Sequence, residues 1–278
     1  MRFVKGHGTE NDFVLIADPS GRLDIDAGLV RLLCDRHAGI GGDGVIRVVR
    51  TAAVAEVAHL AGAAEWFMDY RNADGSVGEM CGNGVRVFAQ YLLESGLAAG
   101  DQLAVATRDG VKTVTVHADG WLAVDIGLPD LRGQSKARIA DQVFAGVELS
   151  TGNPHLACVV DVPVAELELH KAPEVDPVLF PTGANVEFIN VLGDRRIRMR
   201  VHERGVGETR SCGTGACAAA LTVASQQGES TGVWTVEVPG GEVRVTLDGR
   251  TAVLAGPAVL VSDGELRPDW LAALPSPK

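Results

Sequence analysis

The chain lacks long apolar runs, paired cysteines and an excess of basic side chains, and each shortage closes off a class of function. No run reaches the roughly 18 apolar residues that a membrane-spanning helix needs. The N-terminal MRFVKGHGTENDF has no apolar core of the kind a secretory leader carries. A cytoplasmic location without membrane attachment is the expectation that follows. Lysine and arginine total 25 against 36 aspartates and glutamates, a formal charge of −11. Gripping nucleic-acid phosphates or an anionic membrane requires the opposite sign, so neither partner is expected. The five cysteines are odd in number and scattered, which argues against a disulfide framework. None forms a C-x2-C pair, and no Cys/His cluster has zinc-site spacing, so no metal is expected.

What is present is a foldable chain. Of 278 residues, 46% are hydrophobic and 22% charged, which excludes disorder and allows two domains with separate cores. Strand signals dominate. Phe13–Ile16, Val45–Val49, Glu65–Tyr70, Leu103–Thr107, Val111–His117 and Trp121–Ile126 are apolar or β-branched runs, several bounded by turns such as Arg108-Asp109-Gly110. Leu156–Val160, Val186–Leu192, Ile197–His202, Trp234–Val238, Glu242–Leu247 and Ala252–Leu254 repeat the style. Helices are fewer. Asp26 caps one with Leu29, Val30, Leu33 and Cys34 on its apolar face. Gly84–Glu94 and the Ala-rich Thr214–Gln226 are two more, and Val164–Leu169 is read as a short fourth. The boundary falls near Gly127-Leu128-Pro129. This predicts domains over 1–125 with 260–278, and over 126–259, each a strand-rich sheet with one long helix.

The most specific signal is a motif that occurs twice. Cys81-Gly82-Asn83-Gly84 and Cys212-Gly213-Thr214-Gly215 each precede a helix, close to half a chain length apart. A helix N-terminus offers unpaired N–H groups and the positive end of the dipole. It therefore receives carboxylates, and it is expected to draw a thiol there below its free value. Two such thiols suit an enzyme that removes an α-proton on one face of an amino acid and returns one on the other. By contrast, Cys34, Cys158 and Cys217 lie in apolar contexts and read as packing residues. His7, His37 and His202 likewise read as structural.

Eight segments in order carry a family resemblance: KGHGTENDF, RHAGIGGDG, YRNADGS, MCGNGVR, TGNPH, GANVEF, HERGVGET and SCGTGAC. Together they make the chain resemble the diaminopimelate epimerases over nearly its whole length. That resemblance implies an α+β fold of two pseudo-symmetric domains, each a mixed barrel-like β-sheet around a central helix, with the active site in the cleft between them. It implies a cofactor-independent isomerase that interconverts LL- and meso-2,6-diaminopimelate in lysine and peptidoglycan precursor biosynthesis. Cys81 and Cys212 match the two catalytic bases, and His155 and Glu203 match residues that tune them. Asn11, Asn72, Gly82, Asn83, Asn153, Asn185, Glu203, Arg204, Gly213 and Thr214 match substrate-binding positions. On residues alone, each asparagine also suits a turn or cap. The family implies a small-molecule substrate, no cofactor and a homodimer.

The chain departs from the family pattern at Gly6, at Thr9-Glu10, at Ser262-Asp263-Gly264 where relatives often carry Tyr-Asp-Gly, and in the inserted segment 51–64. Three other readings stay open on the residues. A proline or hydroxyproline racemase would use the same two cysteines, a binding protein for a dicarboxylic amino acid would need no reactive thiol, and a metal module would bind zinc.

Overall fold

The computed structural model describes residues 1–272, and the chain divides into two compact units. One comprises residues 1–124 and 257–272, and the other residues 125–256. The first unit begins with β1 (Arg2–Gly8), β2 (Asn11–Ala17), α1 (Ala27–Cys34), β3 (Gly44–Arg50) and β4 (Trp66–Asn72). It continues with α2 (Gly82–Glu94), β5 (Gln102–Thr107), β6 (Gly110–Val116) and β7 (Leu122–Asp125). The second unit runs β8 (Asp130–Ile139), β9 (Gln142–Ser150), β10 (Pro154–Val159), β11 (Glu174–Val175), β12 (Asn185–Gly193) and β13 (Arg196–Glu203). Then follow β14 (Gly207–Thr209), α3 (Gly213–Gln226), β15 (Thr231–Val238), β16 (Gly241–Asp248) and β17 (Ala252–Gly256). The chain returns to the first unit as β18 (Val259–Glu265), which pairs with β1, and ends its described part in α4 (Pro268–Ala272).

The two units repeat one mixed-sheet topology. In the first, the order is β18-β1-β2-β3-β4-β5-β6-β7. In the second it is β8-β9-β10-β12-β13-β15-β16-β17. Both run antiparallel, antiparallel, parallel, antiparallel, parallel, antiparallel, antiparallel. The source of the first strand differs, and the second unit adds β11 beside β8 and β14 beside β13. The second unit takes it from adjacent sequence, β8, and the first takes it from the far end of the chain, β18.

Each sheet wraps one helix. α2 touches β1 to β6 and β18, and α3 touches β9, β10, β12, β13, β15, β16 and β17. A helix surrounded in this way must be apolar on nearly every side. In α3 every residue from Gly215 to Ala224 is buried, and five of these ten residues are alanine. Alanine favours the helix intrinsically and lets the strands approach closely.

Local differences from the sequence reading have local causes. The helix expected over Val164–Leu169 is a single 3-10 turn, Val164–Glu166. Asn190 Oδ1 takes the Val164 N–H at 2.8 Å, and the chain is already extended at Leu167. Segment 51–64 folds as two short 3-10 turns that pack Val57 and Ala64 onto Val49, Phe67 and Ala106. The β1–β2 hairpin turns on Thr9 and Glu10, at φ 49° and 61°. Two consecutive positive φ values give the tight turn whose twist suits a hairpin, and non-glycine residues adopt them at a cost. This turn makes Asn11 the first residue of β2, opposite Gly8.

Candidate active site

In the first unit the site is built around the start of α2. Cys81 is the N-cap residue, and its Sγ accepts the Gly84 N–H at 3.4 Å. Asn11 Oδ1 lies 3.6 Å from the same sulfur and also accepts from Asn83 Nδ2 at 3.2 Å. Asn11 Nδ2 donates to Asp43 Oδ2 at 2.7 Å, which fixes the amide's orientation. Asn83 is nearly fully buried, and its Oδ1 accepts from Arg86 Nη2 at 2.8 Å. Arg86 is wholly buried and also donates to the Gly82 carbonyl at 3.3 Å. Gly8 makes room for it, since a Cβ there would lie 3.0 Å from Arg86 Nη2. Behind Asn11, Arg36 bridges Asp12 and Asp43, and Lys5 pairs with Asp12. Burial works against ionisation of Asp12, but Arg36 and Lys5 outweigh it and hold the carboxyl well below the usual range. Asp43 moves the other way, raised by burial and by its neighbour Asp12. Asn72 ends β4, where Tyr70 Oη donates to its Oδ1 at 2.7 Å and its Nδ2 donates to Ser76 at 3.0 Å.

In the second unit the same frame carries different chemistry. Cys212 caps α3, and its Sγ accepts the Gly215 N–H at 3.4 Å and lies 3.5 Å from Thr214 Oγ1. Glu203, at the end of β13, hydrogen-bonds to Cys212 and to the Thr209 hydroxyl. Beneath them His155 and Glu187 are fully buried, with Nδ1 and Oε1 2.7 Å apart. His155 Nε2 lies 3.0 Å from Thr151 Oγ1 and 3.1 Å from Asn153 Oδ1. Asn185 Oδ1 accepts the Arg204 N–H at 2.9 Å, and the Arg204 guanidinium donates to Thr182 at 2.9 Å. Asn153 and Asn185 thus use their carbonyl oxygens on the protein and keep their Nδ2 groups as donors, whereas Asn11 and Asn72 have both ends engaged.

One expectation is overturned here. The start of a helix was expected to lower both thiols, but Cys212 is pushed well above its ordinary value. Burial is the largest cause, and the nearby Glu203 and Glu187 add to it. The Thr214 hydroxyl and the Gly215 N–H oppose them and lose. Desolvation of a thiolate, together with two acids, outweighs one N–H and a half-charge at the helix end. Cys34 and Cys158 are packing residues pushed up to about 12, chiefly by burial. His202 is structural, with Nδ1 3.0 Å from the Leu169 carbonyl.

The family model for diaminopimelate epimerase matches residues 3–131 and 147–261. The chain is 54% identical to a diaminopimelate epimerase of Thermobifida fusca, covering 96% of this chain and 98% of that one. It is 50% identical to one of Rhodococcus opacus, covering 97% and 98%.

The chain belongs to the diaminopimelate epimerase family.

Its fold is also that of a probable proline racemase from Agrobacterium radiobacter, solved with bound carbonate. The TM-score is 0.68, with 15% identity and coverage of 96% and 93% of the two chains. Diaminopimelate epimerases are isomerases that act on an amino acid, and in this member the structure adds residues the sequence reading missed. Arg86, Asp43, Glu187 and Thr209 all lie inside the motif segments, but next to more conspicuous cysteines, histidines and asparagines. Their polarity amid β-branched or glycine-rich neighbours was the available signal. Among the described residues there is no cluster of His, Cys, Asp and Glu that could hold a metal ion. No described helix is long and apolar enough to cross a membrane.

Glu203 gives a pH-dependent test of this geometry. Burial raises it above its ordinary 4.5, against hydrogen bonds from Thr209 and Cys212. A raised acid holds its proton more tightly folded than unfolded. Its contribution is complete below 4.5 and is lost as pH rises through the folded value. Glu203→Gln should therefore raise the melting temperature relative to the unaltered protein more at about pH 8 than at about pH 5. An equal difference at both pH values would show that Glu203 is not raised.

Proposed function

We propose that this protein interconverts LL- and meso-2,6-diaminopimelate with Cys81 and Cys212 as the two bases and no cofactor. The observation that carries this reading is the repeated construction of the two cysteines. Each is the N-cap of the central helix of its unit, and each sulfur accepts the N–H three residues on. The remaining N–H groups of each first turn suit one carboxylate oxygen.

In the forward step one cysteine thiolate takes the α-proton and becomes a thiol. The C–H electron pair moves into the carboxylate, giving an enediolate whose added charge the helix ends stabilise. The other cysteine gives its S–H proton to the opposite face and becomes the thiolate. Exchange of one proton out and one in through solvent restores the starting state. Asn153 and Asn185 offer amide N–H donors to the substrate carboxylates. Arg204 suits the distal carboxylate, which its guanidinium can hold bidentately, and Glu203 suits an ammonium group. Five free thiols and an acidic surface fit a reducing cytoplasm.

Incubation of the purified protein with LL-diaminopimelate in heavy water, with nothing added, should place deuterium at one α-carbon as the meso isomer appears. Absence of both would overturn the reading. Racemisation of proline in place of this reaction would move the protein to the other chemistry supported by the fold.

A further inference from the structure

The two units can be superposed residue by residue through their strand registers. In the first, Phe13 pairs with Gly44, and Gly44 with Asn72. In the second, His155 pairs with Asn185, and the Val186–His202 pairing places Asn185 opposite Glu203. Phe13 thus corresponds to His155, Gly44 to Asn185 and Asn72 to Glu203. Two residues further along the same strand faces, Ile46 corresponds to Glu187. On the helices, Arg86 stands five residues after Cys81, as Cys217 does after Cys212.

The glycines of the helix starts confirm the match. A Cβ on Gly84 would meet Ile46 Cδ1 at 3.4 Å and Phe13 Cζ at 3.6 Å. A Cβ on Gly215 would meet Glu187 Oε1 at 2.8 Å. The layer behind the Cys81 turn is therefore apolar, and the layer behind the Cys212 turn is an acid–imidazole pair. The charges differ in the same sense at three corresponding places. Glu187 faces the start of α3 where Ile46 faces the start of α2. Glu203 hydrogen-bonds to Cys212, whereas its counterpart by register, Asn72, is neutral. A buried guanidinium, Arg86, lies in the first turns of α2, where α3 has Cys217. The cluster beyond Asn11 holds two cations, Lys5 and Arg36, and two acids, Asp12 and Asp43, which offset one another.

We propose that Glu187 is a positioning residue that makes Cys212 hold its proton more tightly than Cys81 in the ligand-free protein. Glu187 does so from behind α3, where it holds His155 and lies against Gly215, the residue whose N–H caps the Cys212 sulfur. Its Oε2 is fully buried and has no hydrogen-bond partner among the described residues. His155 is its ion-pair partner, so the charge it carries is little screened by water and acts on a Cys212 thiolate. The raised position of Cys212 agrees with this assignment. The proposal rests on the two-cysteine reading.

The test is the pH dependence of iodoacetamide alkylation in the ligand-free full-length protein, read at each cysteine by peptide mass spectrometry. The midpoint is compared, since burial slows the absolute rates. Cys81 should titrate at lower pH than Cys212. In Glu187→Gln the Cys212 midpoint should fall by about 1 pH unit or more, while that of Cys81 stays in place. Glu187→Ile, which copies the apolar layer behind Cys81, should act in the same direction. A Cys212 midpoint at or below that of Cys81 would overturn the proposal, as would no movement in Glu187→Gln. If neither variant folds, the two midpoints in the unaltered protein decide. The measurement needs no turnover, so failure here leaves the epimerase reading intact, and loss of that reading in the heavy-water experiment would leave the midpoints unchanged.

Discussion

Cys81→Ala and Cys212→Ala should each reduce interconversion of LL- and meso-diaminopimelate by about 10³-fold or more. A positioned acid or base typically contributes about 10²- to 10⁴-fold. Here the substrate carbon is a very weak acid, and each variant loses one of two partners with opposite tasks. Alanine at an N-cap also leaves an N–H of the first turn without its acceptor, at about 1 kcal/mol. That small cost separates the variants from unfolding, and melting temperature should stay close to that of the unaltered protein. Cys34→Ala and Cys158→Ala provide the contrast. Both side chains are buried in hydrophobic clusters distant in sequence from the helix caps. These variants should lose stability and keep kcat. Steady-state rates in both directions check the prediction, and substantial turnover by either helix-cap variant would remove the two-base scheme.

Arg86→Met should cost about 3 kcal/mol of stability, because two buried hydrogen bonds from a charged group are lost and their acceptors are left without a donor. Those acceptors are Asn83 Oδ1 and the Gly82 carbonyl, both in the first turn of α2. Methionine fills the space but cannot donate. The same turn presents the N–H groups proposed to receive the substrate carboxylate, so activity should fall as well, with KM rising more than kcat falls. A urea unfolding midpoint measures the first effect and saturation kinetics the second. A variant as stable and as active as the original would show that Arg86 only fills volume.

Much of the fold was legible because it follows from local chemistry. The β15–β16 hairpin announces itself through Pro239-Gly240-Gly241 between two β-branched runs, and the structure forms strands on either side. α1 begins at Asp26, whose side chain accepts the Leu29 N–H at 2.7 Å. The β8–β9 hairpin was not foreseen. Most of β8 and β9 is solvent-exposed or half-buried, so the alternation is faint, and their turn uses Ala140 at φ 49° in place of a glycine. β1 was also passed over, since Lys5, Gly6, His7 and Gly8 do not read as strand formers. What holds β1 in place is pairing on both edges, to β2 and to β18 from the far end of the chain.

The repeated Cys-Gly-x-Gly turn, the mixed strand-rich composition and the family motifs are properties of neighbouring residues, so the sequence by itself determined the fold class and the family and singled out the two cysteines proposed as bases. It could not determine what lies behind each cysteine. Phe13, Ile46, His155 and Glu187 come from strands distant in sequence from the helices they back, and only the parallel pairings of β2 with β3 and β10 with β12 bring them there. The protonation of a buried thiol depends on the charges within a few ångströms and on the water excluded around it. Both are set by packing between distant segments, which is why the tertiary structure alone decided that the two halves of a duplicated motif are electrostatically unequal.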